Sequence, residues 1–368
     1  MFDLSQAVDE LWRNGVGPDD RPRIQTLMDE LLAPGTAAGR ANAAITAANL
    51  DLPAVEATQV EATTLARDEL AQFYALCDLM VGTHVTPPAL RDGPLPSKIL
   101  AAAASLWSAA LARDPDRLER AFTQLERQLT AVPAKIDDAR IPIALAWADL
   151  ALGETALATG DRTSARHRFE SVSRGAGPIP LRIAATLRIV TLLLERVDLE
   201  QARSRCRQAG TLADKDNRPM HGQHARITGA ILDFIAGDRA AARKTLTAEA
   251  AKGPLGLLPR ILLSSFEPAE RAMPLLAEGL ADAGQRGDPF AFTICTIVGA
   301  RRYAQLDKDA DALLVLTTGI LQLRGPAPSF SKALEDERAA LKTEWGDERY
   351  AAAEQAALAM LDANASRS

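Results

Sequence analysis

The sequence predicts an all-α protein built as a solenoid of helical hairpins. Three observations carry that prediction: a composition of helix formers, apolar residues at helical spacing, and one corner motif written several times. Hydrophobic residues make up 47% of the 368, charged residues 24% and aromatic residues only 4%. Ala is abundant, and Val, Ile and Thr dominate no long window. Ala costs little side-chain entropy in a helix, whereas strands favour β-branched and aromatic residues.

From the N-terminus, helical patterns run near residues 4–14, 20–33 and 36–48, followed by a longer one over 53–81. In the last, Leu65, Leu70, Phe73, Leu76 and Met80 recur at helical spacing. Residues 1–81 therefore form an N-terminal helical region, either degenerate repeats or a cap. A solenoid needs caps, because an uncovered end leaves apolar surface in water. Residues 82–98, "GTHVTPPALRDGPLPSK", hold four prolines and two glycines and read as a loop. The repeat array follows over 97–325, and residues 326–368 read as C-terminal capping helices.

The array is recognised by its corners. "ATGDRTSARHRF" at 158–169, "ERVDLEQARSRC" at 195–206 and "IAGDRAAARKTL" at 235–246 share one shape. Each has an Ala four residues after an Asp, at Ala165, Ala202 and Ala242, spaced by 37 and 40 residues. A further corner, "QLDKDADALLVL", offers Ala312, 70 residues on, with "EPAERAMPLLAEGL" at 267–280 supplying the helix between. Periods of this size mark helical repeats. Gly160 and Gly237 suit the left-handed residue that ends a helix. Asp161, Asp198 and Asp238 suit the cap of the next, with Gln201 completing a capping box. The Ala lets two antiparallel helices approach, and Phe169 or Leu246 packs one turn later.

These residues resemble the tetratricopeptide repeat, whose pattern runs W-x2-L-G-x2-Y, then A-x3-F, then P. The chain has Leu152-Gly153, then Ala165-x3-Phe169, then Pro178; later come Gly299-Ala300, Tyr303 and Ala312-x3-Leu316. The middle hairpins depart from it, with Ile189-Val190 and Gly229-Ala230 at the Leu-Gly positions and Cys206 at the Phe position. The resemblance covers roughly 97–325 and implies a right-handed α-solenoid. In that family the first helix of each hairpin lines the concave groove. It thus implies a groove presenting Trp147, Glu154, Arg188, Thr191, Glu195, His224, Ile231, Arg301 and Gln305 to a protein or peptide partner. The stretch 334–361, containing "EWGDERYAAAEQAA", is similar to the last helices of large bacterial signal-transduction ATPases and LuxR-type transcriptional regulators. There the array senses or docks. This chain lacks their G-x-x-x-x-G-K-[ST] phosphate loop and any helix-turn-helix, so such a role would be that of a detached array.

The net charge of −6 argues against general nucleic-acid binding, which needs a positive field. Residues 161–226 carry an excess of Arg and Lys, which reads as a solvated helix surface. Cys77, Cys206 and Cys295 are widely separated and odd in number, so no disulfide framework follows and a reducing compartment fits. The acidic start "MFDLSQAVDE" is no secretory leader, and the run at 99–112 is too short and Ala-rich to span a bilayer. A cytoplasmic location is expected. His221 and His224 share a helix face without further ligands nearby, which predicts exposed or groove histidines and no metal site. His84 and His167 stand beside no nucleophile. The pairs Asp137-Asp138 and Glu335-Asp336 read as helix ends or exposed faces. Trp12, Trp107, Trp147 and Trp345 read first as core residues. No G-x-S-x-G, H-E-x-x-H or dinucleotide motif occurs. The expected function is a non-enzymatic interaction scaffold without cofactor, and the alternative is an array that senses a small-molecule effector.

Overall fold

The computed structural model describes residues 4–32, 54–80, 85–88, 90, 93–112, 114–195, 198–250, 257–264, 266–286, 289–324 and 328–365. Seventeen α-helices and one 3-10 turn account for the regular structure of those residues, and no strand occurs among them. The chain forms two compact units, the first made mainly of residues 1–232 and the second mainly of residues 233–368. The helix expected near 36–48 lies outside the described residues, as does His84.

In the first unit, α1 (Leu4–Asn14) leads through the 3-10 turn Pro18–Asp20 into α2 (Arg21–Leu32) and the long α3 (Ala54–Met80). Then come α4 (Leu95–Ala112), α5 (Pro115–Thr130), α6 (Arg140–Ala158), α7 (Arg162–Arg174), α8 (Ile179–Glu195), α9 (Leu199–Lys215) and α10 (Pro219–Ile235). One core joins the N-terminal helices to the hairpins. Trp12, Phe73, Trp107, Trp147 and Phe169 are all fully buried in it. Trp12 meets Phe73 edge-on at 5.3 Å, and Arg140 at the start of α6 reaches back to pair with Asp9. Helices α1 to α3 are thus packed into the same unit as the first hairpins.

Helices α4 and α6 are long and apolar enough to cross a membrane by length and composition. Helix α4 starts at Leu95, inside the expected loop, and so reaches 18 residues, longer than the apolar run at 99–112. In both, more than half of the apolar stretch is buried within the protein, as in core helices.

The repeated corner has the left-handed glycines and Asp caps its residues predict, but the capping box expected at Asp198 and Gln201 is not formed, because the Asp198 N–H donates to the Leu193 carbonyl at 3.1 Å. Gly160 and Gly237 take φ of 85° and 90°. The carboxylates of Asp161, Asp198 and Asp238 accept from the N–H groups of Ser164, Gln201 and Ala241 at 3.0, 3.1 and 3.0 Å. Ala165, Ala202, Ala242 and Ala312 are completely buried. Gly153 explains the close approach of α6 and α7: a Cβ there would lie 2.5 Å from Cε1 of the buried Phe169. The corner at Ala312 is built differently. Asp307 takes the left-handed position at φ 56°, and the N–H of Lys308 closes the preceding helix on the carbonyl of Tyr303 at 3.0 Å. Lys308 occupies the cap position and makes no side-chain cap bond.

The second unit holds α11 (Arg239–Ala250), α12 (Leu257–Ser264), α13 (Ala269–Arg286), α14 (Pro289–Gln305), α15 (Asp309–Leu323), α16 (Pro328–Trp345) and α17 (Asp347–Ala365). Consecutive helices pack on one another throughout it, and α14 also packs on α16. A further corner lies between α12 and α13. Ala272 is fully buried four residues after Pro268, and Leu276 is buried one turn later. The steps from Ala242 to Ala272 and on to Ala312 are therefore 30 and 40 residues, where the sequence suggested two of 35. Gly346, at φ 78°, joins the last two helices, and Leu334, Leu341 and Tyr350 form the core there.

Candidate functional site

The first four N–H groups of any helix lack partners within it. At the start of α10, after Asn217 at φ 51°, the missing partner comes from the other end of the unit. Asp19, in the 3-10 turn, accepts from Met220 N–H at 2.6 Å and from His221 N–H at 3.4 Å. The same carboxylate meets Nδ1 of the His221 ring at 2.7 Å. Burial works against a charged Asp19, but the His221 ring bond and the Met220 N–H outweigh it and hold the carboxyl below its ordinary value. Asp19 is therefore an acceptor, and His221 carries its proton on Nδ1.

The neighbouring residues clamp the same turn. Asp20 accepts from Gly17 N–H at 3.0 Å and pairs with Arg218, whose Nε reaches Asp216 at 2.9 Å. Cys77 donates its thiol to the Gly17 carbonyl at 3.0 Å. Burial pushes that thiol far above its ordinary value, which keeps it protonated and unreactive. Gly17 lies flat on the His221 ring, and a Cβ there would come within 2.2 Å of Cε1. Gly15, at φ 69°, sits against Pro178 in the same manner. Segment 15–20, "GVGPDD", is thus a clasp that fits only because its glycines lack side chains.

Beside the clasp is a cleft of ≈370 Å³ counting its open mouth, with floor space for about one water-sized group. Its polar wall is Glu154 of α6, Arg188 of α8, and His221 and His224 of α10. Its apolar wall includes Met80, Trp107, Leu150 and Leu187. Glu154, buried, forms an ion pair with Arg188. Burial, then the nearby Arg188 and His221, push the pKa of His224 down to about 3, so this ring is neutral at neutral pH. Nε2 of His221 and Nε1 of Trp107 are both buried without a hydrogen-bond partner among the described residues. The arrangement offers hydrogen bonds in an otherwise apolar cleft. No group of three His, Cys, Asp or Glu fit to hold a metal ion occurs among the described residues.

Of the residues expected in a groove, Glu154, Arg188 and His224 come together at this cleft. Trp147 is fully buried beneath it, its ring 6.3 Å from that of Trp107. Thr191 is exposed on α8, and Ile231 is half-buried on α10. The side chain of Glu195 lies outside the described residues. Arg301 and Gln305 belong to α14 of the second unit. Arg301 is held by Glu337 and Glu344, and the exposed Gln305 accepts from Arg302 at 2.8 Å. His221, expected exposed or in a groove, is instead 3% exposed, because Asp19 and Gly17 cover it. Asp19 is the site residue that sequence reasoning missed, while His221 stood there only as an exposed or groove histidine and Trp107 only as a core residue. The turn-forming "GPDD" was the one visible hint, as a Pro followed by two potential caps. Comparison of the chain with protein-family models returns no match, and comparison with curated proteins returns none.

Proposed function

We propose that the chain is a non-enzymatic interaction protein, a right-handed solenoid of tetratricopeptide-like hairpins that binds a protein or peptide partner in the cytoplasm. One observation carries this reading: the same corner, with a buried Ala and an apolar residue one turn later, recurs at Ala165, Ala202, Ala242, Ala272 and Ala312. Side-by-side packing of α6 on α8, the first helices of two successive hairpins, supports the stacking such an array requires. Thr191, exposed on α8, and Ile231, half-buried on α10, are the groove positions of the first unit that stand clear of the cleft and have side chains accessible to a partner. Affinity would come from a few anchors rather than the whole surface.

The test is capture of partners from the native cell by the wild-type chain and by Thr191→Arg and Ile231→Arg variants. A partner recovered with the wild type and lost with both variants supports the reading. A partner retained by both, or none recovered in repeated captures, overturns it. The second reading, a ligand-sensing array, is favoured by the polar cleft beside His221. A metabolite panel that raises the melting temperature of the chain supports sensing, and a flat panel removes it.

A further inference from the structure

We propose that Phe234, Ile235, Arg239 and Phe266 form a docking point for a peptide in which an Asp or Glu side chain stands close to a Leu or Phe. The inference rests on the reading of the chain as an interaction protein, and not on the groove positions Thr191 and Ile231. All four residues belong to the second unit. Phe234 and Ile235 end α10, Arg239 opens α11, and Phe266 lies in the turn between α12 and α13.

Phe234 and Ile235 are 38% and 49% exposed. The corner itself does not demand this. At the matching corner around Gly160, the same two positions hold Leu157, half-buried, and Ala158. Two adjacent large apolar side chains in water carry a free-energy cost that burial against a partner removes. The patch is also held in place. The rings of Phe234 and Phe266 meet edge-on at 5.1 Å. The guanidinium of Arg239 lies over both, 5.4 and 5.7 Å from their centroids. Aromatic and Arg side chains are the usual anchors of an interface, and anchors already ordered lose little freedom on binding.

The charges decide what binds. Asp238 is turned back on α11, where it accepts from Ala241 N–H at 3.0 Å, and Glu267 pairs with Arg243. Arg239 is exposed, stacks on the two rings and makes no ion pair among the described residues. A guanidinium can only donate, so its complement is a carboxylate. A carboxylate within reach of Arg239 brings its neighbours in the peptide onto Phe234, Ile235 and Phe266, so an apolar residue beside it completes the fit. An ammonium at that place would oppose Arg239. A nucleic-acid backbone would gain this one cation and meet apolar side chains that offer its other phosphates no hydrogen bond.

The test is binding of the labelled full chain to an array of short synthetic peptides. Leu or Phe stands one to four positions from Asp or Glu, and matched sets carry Asn or Gln, or Lys, in place of the acid. The proposal expects the acidic set to bind above the other two. Arg239→Gln, which keeps a flat polar end and removes the charge, should weaken that binding at least about fivefold, the loss that marks an anchor. Phe234→Ser should do the same, and both side chains are exposed, so neither change opens the core. Thr191→Arg should leave this binding unchanged, which separates a failure here from a failure of the groove reading. Equal binding of the acidic and amide sets, binding retained by Arg239→Gln, or no binding to any set overturns the proposal. So does self-association in sedimentation that Phe234→Ser abolishes, because a second copy then covers the patch.

Discussion

Replacing Asp19 by Ala removes three contacts at once: two N–H bonds at the start of α10 and the bond to the His221 ring. Loss of a helix cap costs about 1 kcal/mol. Loss of a charge-assisted bond that leaves a buried imidazole N–H bare costs about 1.5–3 kcal/mol. The side chain is only 8% exposed, so solvent screening discounts little of this. A total of about 3 kcal/mol is expected, a large share of the ~5–15 kcal/mol that holds a domain together. Asp19→Asn keeps a carbonyl oxygen for Met220 N–H and should cost roughly half as much. Urea unfolding measures the totals, and amide hydrogen exchange locates them. Exchange at Met220 and His221 should quicken by about 100-fold if α10 frays from its start. A loss below about 1 kcal/mol for Asp19→Ala, or unchanged exchange at those amides, would refute the reasoning that this carboxylate caps α10 from 202 residues away.

Gly153→Ala should destabilise the chain by about 1–2 kcal/mol despite the better helix propensity of Ala, because the new Cβ meets a buried ring that has no room to move. Phe169→Leu added to it should recover part of that loss, and an additive double mutant would contradict the contact. Lys308→Ser should supply the missing cap at α15 and raise the melting temperature by about 3–6 °C, for a gain of about 1 kcal/mol. Acid should weaken the fold through His224. Its folded value of about 3 lies below the ordinary 6.5, so the unfolded chain binds a proton there that the folded chain refuses. That contribution is whole above pH 6.5 and is lost as pH falls from 6.5 toward about 3. Asp19, lowered from 3.8, adds a further loss only below that value. Urea midpoints between pH 7 and 4.5 should fall more steeply for the wild type than for His224→Gln, and equal slopes would count against a neutral His224.

The corners were legible because their chemistry is local. A left-handed Gly, an Asp three residues before the N–H it accepts, and an Ala at the crossing all lie within one stretch of sequence. The corner at Ala272 escaped that reading because Pro268 stands where the others have Asp or Lys, and because α12 before it is only 8 residues long. Glu154, Arg188 and His224 were reachable from helical spacing. Their neighbours were not: Asp19 and His221 are 202 residues apart, and a cap supplied across that distance leaves no periodic trace. The direction of Trp147 was beyond the pattern for a different reason. Helix α6 buries Ile141, Ala144, Ala148, Leu150 and Ala151 around it, so its apolar residues do not mark one face.

Photo-crosslinking from the first-helix surface tests the array reading most directly. A crosslinking amino acid at Thr191, exposed on α8, is compared with one at His167, exposed on α7. The array reading predicts a discrete adduct with one partner from position 191 and none from position 167. Adducts of equal yield from both positions, or adducts from position 167 alone, would contradict it.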